Sequence, residues 1–137
     1  MYLYLISIFD IVIHPKFDWC KNKTYLPFDF LINKYKLLIE LDGNQHFIQV
    51  MNWKSPEENF ITDIFKTNKA IENNYSIIRI RQYDFKYNNY DWKNILNQYI
   101  KIYDNPTAIF ISKKINIYEK FIDDLKNKCK IIIHTDN

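Results

Sequence analysis

Glycine is almost absent from this sequence: Gly43 is the only one in 137 residues. A lone residue able to take positive φ without steric cost, placed directly after Asp42, marks a sharp turn there. Cysteine is nearly as scarce. Cys20 and Cys129 are too few and too far apart for a zinc pattern or a disulfide-stapled secreted domain, so a reduced intracellular compartment is expected. No apolar run reaches the roughly 20 residues that span a membrane. The N-terminal MYLYLISIFDIVIH is interrupted by Asp10 and lacks the basic start and small-residue cleavage site of a signal peptide. Charge of one sign is also sparse. A net of +3 is compatible with a nucleic-acid partner but too mild to establish one.

What the chain does have is apolar material, 47% hydrophobic and 18% aromatic, enough to exclude disorder and to bury a core in one domain. Residues 8–13 read as a first strand, with Met1 to Ser7 either extending it or ending a short helix. A polar turn, Lys21 to Thr24, leads into two apolar runs, Leu26 to Ile32 and Leu37 to Asp42, that read as a hairpin. Ser55-Pro56-Glu57-Glu58 is a capped helix start, and apolar spacing carries that helix to about Asn73. Tyr75 to Arg81 is the next strand, so strand, helix and strand form a crossover, normally right-handed. A polar loop at 84–89, a helix at 91–103, a strand at 108–111, a helix at 118–128 and a strand at 130–134 complete the chain. The expectation is one α/β domain with no repeats and no linker: a core at about 8–81 and a C-terminal α/β extension at about 90–135.

The hairpin carries acids where a buried strand should not tolerate them. A two-residue loop, Lys34-Tyr35, pairs Asn33 with Lys36 and places Asp29 opposite Glu40. Alternation adds Asp42 to the same face. Three carboxylates at close quarters repel unless a cation or proton intervenes, and a divalent metal held by oxygen ligands is the simplest answer. An exposed face neutralised by lysines is the alternative. His46 stands three residues beyond the turn glycine, close enough to join the site or simply to pack in the loop. Asp63 and Lys66 are either contributors to the site from the helix or an ordinary i, i+3 pair. Arg79 and Arg81 share a strand face, where they either contact phosphates or pair with acids on adjacent strands.

The strings Pro27-Phe28-Asp29 and Ile39-Glu40-Leu41-Asp42-Gly43-Asn44-Gln45-His46, followed by helix and strand, resemble the PD-(D/E)XK nuclease superfamily. Within it the chain is most similar to the branch related to very-short-patch repair endonucleases, found also in large DNA viruses. The resemblance covers about Phe17 to Arg81. It implies a restriction-endonuclease-like mixed sheet, an antiparallel hairpin plus a helix crossover, flanked by helices. It implies a Mg²⁺- or Mn²⁺-dependent endonuclease that hydrolyses DNA phosphodiester bonds in repair, recombination or mobile-element processing. Asp29, Glu40 and Asp42 would ligate the metal, and His46 would act as general acid/base with Gln45 beside it. Asp63 or Lys66 would complete the site, and Lys66, Arg79 and Arg81 would contact phosphates. Asp42 occupies the place where the superfamily usually has lysine. The superfamily also supplies an acid from a helix before the first core strand. Only Met1 to Ser7 precede that strand here, so that helix and its acid are expected to be missing. The other reading is a catalytically degenerate nuclease fold that binds nucleic acid, a partner chain or a second copy of itself.

Overall fold

The computed structural model describes residues 1–43, 51, 54–87 and 91–135. In chain order the elements are α1 (Tyr2–Ile8), β1 (Val12–Ile13), β2 (Lys21–Asn22), β3 (Thr24–Tyr25), β4 (Phe30–Ile32), β5 (Leu37–Asp42), α2 (Pro56–Glu72), β6 (Ser76–Arg81), α3 (Gln82–Tyr87), α4 (Trp92–Tyr99), β7 (Thr107–Ile111), α5 (Glu119–Leu125) and β8 (Lys130–His134). Six strands form one mixed sheet in the order β1-β4-β5-β6-β7-β8. β4 runs antiparallel to both of its neighbours, whereas β5 to β8 are all parallel. β2 and β3 form a separate small ribbon turning on Lys23, whose φ is 49°.

Side-chain alternation divides the core into two layers. Leu37, Ile39, Ile78, Ile80, Ile109 and Ile111 face α1 and α4, against Leu5, Ile95 and Leu96. Leu38, Ile77, Ala108 and Phe110 face α2 and α5, against Ala70, Phe121 and Leu125. Covered on both faces, β6 and β7 are buried almost throughout, as central parallel strands must be. The crossovers through α2, α4 and α5 all step the same way across the sheet, yet α4 lies on the opposite face from the other two. Its connection therefore has the opposite hand. Since about 98% of such crossovers are right-handed, at least one here takes the uncommon hand.

α2 follows its sequence signals closely. Ser55 Oγ accepts the Glu58 N–H at 3.2 Å, Pro56 occupies the first turn, and Asn73 caps the end before the left-handed Asn74. Elsewhere boundaries move. A helix does precede the first core strand: residues 2–8 form α1, which corrects the expectation that it is missing, although it carries no acidic residue. β1 is accordingly two residues long. The expected loop at 84–89 begins inside α3, because Asp84 is drawn inward by hydrogen bonds from the end of β7. α4 stops at Tyr99 and does not run on to 103, and Ile102 beyond it is 65% exposed. Among the described residues no helix is long and apolar enough to cross a membrane.

Candidate functional site

The β4–β5 ladder pairs Phe30 with Ile39, Leu31 with Leu38 and Ile32 with Leu37. One step further it sets Asp29 opposite Glu40, the register expected from the sequence. The connection differs in form. Asn33–Tyr35 makes a 3₁₀ turn and Lys36 takes a left-handed conformation, yet the count of residues, and so the register, is unchanged. At this end the strands are tied side chain to backbone. The Asp29 N–H donates to Glu40 Oε1 and the Leu41 N–H donates to Asp29 Oδ2, each at 2.7 Å.

The cations that neutralise this face come from the protein. Lys66, reaching from α2, places Nζ 2.9 Å from Glu40 Oε2 and 4.9 Å from the Phe28 ring centre. Arg79, beside Glu40 in the parallel β5–β6 register, lies 3.8 Å from the same oxygen. Its main partner is Asp42, with Nη1 2.6 Å from Oδ1. Arg79 also donates from Nε to Thr67 Oγ1 at 3.1 Å and from Nη2 to the Asp63 carbonyl at 3.2 Å. The Tyr118 hydroxyl donates to the other Asp42 oxygen at 2.9 Å. Arg79 is 0% exposed and packs 5.1 Å above the Phe121 ring.

This geometry divides the three carboxylates that the sequence groups together. Asp42, expected as a metal ligand, is buried here with Arg79 and Tyr118 as partners. Among the described residues no set of three or more histidine, cysteine, aspartate or glutamate side chains is placed to hold a metal ion. Arg79 is corrected, since a fully buried guanidinium cannot touch a phosphate. Asp63 is buried, with Oδ1 3.7 Å from Arg79 Nη2. Lys66 is buried against Glu40 and not displayed towards a phosphate. Arg81 sits 3.4 Å from Asp84 and 4.9 Å from the centre of the Tyr83 ring. Gln45 and His46 lie outside the described residues.

Thr67 and Tyr118 went unnoticed in the sequence. Thr67 had a signal: Asp63, Lys66, Thr67 and Ala70 recur at helical spacing on the buried face of α2, where polar residues demand partners. Nothing local marks Tyr118, which meets Asp42 from 76 residues away.

The implied metal finds a reduced but chemically suitable donor set. Asp29 is half-buried, and among the described residues its Oδ1 accepts no hydrogen bond. Each carboxylate oxygen offers about two lone-pair directions, so Glu40 Oε1 can accept from Asp29 and still ligate. Mg²⁺ characteristically takes one or two carboxylates and fills its other positions with water and substrate phosphate. Asp29 and Glu40 fit that pattern.

Burial pushes the Glu40 carboxyl above the usual carboxylate range, and Lys66 and Arg79 only partly restore it. Burial also works against the charged form of Arg79, but Asp42, Asp63 and Glu40 outweigh it and hold the guanidinium more basic than usual. With its folded pKa raised, Glu40 binds a proton more tightly in the folded than in the unfolded chain. Its contribution to stability is therefore full below the unfolded pKa and is lost as the pH rises through the folded one. Glu40→Gln removes that contribution to the slope. Melting curves of both proteins between about pH 4 and pH 8 should show their difference changing in this window. A constant difference would contradict the shift.

Comparison of the chain with protein-family models, with curated proteins and with solved structures gave no match.

Proposed function

We propose that this domain is a metal-dependent endonuclease that hydrolyses DNA phosphodiester bonds. The observation that carries the reading is the meeting of Asp29 and Glu40 at one end of the hairpin, where the Asp29 N–H donates to Glu40 Oε1 at 2.7 Å, with Lys66 Nζ 2.9 Å from Glu40 Oε2. The resemblance around Asp29 and Glu40 implies such a set. Lys66 supplies from α2 the cation that Asp42 displaces from the strand. The mixed sheet, an antiparallel hairpin followed by a helix crossover, is compatible with the architecture the resemblance implies.

In this reading Asp29 and Glu40 hold Mg²⁺ or Mn²⁺, which when bound polarises the phosphate and lowers the pKa of a water nucleophile. Lys66 keeps Glu40 oriented and favours its charged form. The Asp42–Arg79–Tyr118 network holds the strand end rigid beneath them. His46, by resemblance, relays the proton, and Gln45 stands beside it. The test is incubation of the protein with supercoiled plasmid and with mismatched duplex in Mg²⁺ or Mn²⁺. Nicking that chelator abolishes is expected, and no cleavage of either substrate would defeat the proposal.

A second reading has its own observations. Both Glu40 oxygens already have protein partners, and α1 brings no acid to the site. A degenerate nuclease fold that binds nucleic acid or a partner chain would look the same at these positions. It predicts DNA binding without cleavage.

A further inference from the structure

The parallel strands β5 to β8 end together at one rim of the sheet, the side on which ligands of open α/β sheets gather. Basic residues among those described stand along it. Lys54 precedes α2, Arg81 ends β6, and Lys113 and Lys114, the only adjacent lysines in the chain, follow β7. Glu57 and Glu58 at the start of α2, Asp91 at the start of α4 and Glu119 at the start of α5 are exposed acids at the same end of the helices.

The Lys113–Lys114 turn is unusually well held. Asp84, 1% exposed, accepts the Ser112 hydroxyl at 2.8 Å and the Lys113 N–H at 2.9 Å through Oδ2. Ser112 Oγ in turn accepts the Lys114 N–H at 2.9 Å, and the Ser112 N–H donates to the His134 carbonyl at 3.1 Å. Burying a carboxylate is costly unless hydrogen bonds compensate, and here they converge on the backbone that presents two lysines. A turn fixed in advance loses little conformational freedom when those side chains are engaged.

We propose that this turn binds the sugar-phosphate backbone of the DNA that is cleaved at the Asp29–Glu40 site, an inference that rests on the endonuclease reading. Glu40, Arg79 and Phe110 lie in one row across the sheet. Lys113 is three residues beyond that row and two strands to the side, about 10 Å in each direction. The combined separation, about 14 Å, is within the span of a few nucleotides of one strand. The chain thus offers one place to cut and a second to hold the same strand.

The experiment measures binding of a short fluorescein-labelled DNA duplex by anisotropy in chelator, where nothing is cut, across a salt series. Lys113→Glu with Lys114→Glu should weaken binding roughly 10- to 100-fold at low salt and reduce the salt slope by about 2, near 0.9 for each phosphate that is no longer neutralised. The milder Lys113→Gln with Lys114→Gln should reduce the slope similarly, with a smaller loss of affinity. Lys101→Glu with Lys130→Glu, an equal charge change at the opposite rim, should cost less than about threefold. Equal losses in the two reversed pairs would overturn the proposal and leave DNA binding intact. A Lys113/Lys114 variant that binds and cuts like its parent would overturn it while sparing the endonuclease reading. A parent protein that neither binds nor cuts DNA would end both.

Discussion

Arg79→Met will lower the melting temperature by about 10–20 °C, corresponding to roughly 3–5 kcal/mol for removing one member of a buried ionic network in a domain of this size. The large value follows from what remains. Asp42 keeps a hydroxyl donor from Tyr118 but loses the buried guanidinium 2.6 Å away, and Asp63 and Thr67 lose a donor together. Methionine fills similar volume, so the loss is electrostatic more than steric. Adding Asp42→Asn should recover part of it, because the amide oxygen can still accept from Tyr118 without carrying an unpaired charge. A double-mutant cycle by thermal denaturation measures that coupling. A drop of less than about 3 °C would mean that Arg79 is not the hub, since exposed ion pairs contribute at most about 1 kcal/mol.

Asp29→Asn should separate chemistry from structure. Its side-chain oxygen can still accept the Leu41 N–H, so the melting temperature should stay within a few degrees of the parent. Cleavage should fall at least about 100-fold, since losing a charged ligand removes several kcal/mol of transition-state stabilisation and each 1.4 kcal/mol is tenfold. Asp42→Asn should behave the other way, with a larger loss of stability than of rate in the protein that still folds, because Asp42 faces Arg79 and not substrate. Paired measurements of nicking rate and melting temperature decide the matter. An Asp29→Asn protein that cuts like its parent would remove Asp29 from the site. If Asp42→Asn lost only activity, Asp42 would return to the metal.

Elements whose causes are local were legible in the order of the residues alone. The Ser55-Pro56-Glu57-Glu58 start placed α2 because capping and proline geometry depend on four consecutive residues. Period-two alternation and the length of the turn placed Asp29 opposite Glu40, even though the turn took a different shape, because register depends on the number of residues between the strands. The same alternation put Arg79 and Arg81 on one face of β6. It could not say what would cover that face. Only the tertiary structure laid α2 and α5 there, which brought Lys66 to Glu40 across 26 residues of sequence and Tyr118 to Asp42 across 76. A cluster of acids looks the same in sequence whether a metal or a protein cation neutralises it. Coulomb attraction depends on distances in space, and those were set by how the helices pack.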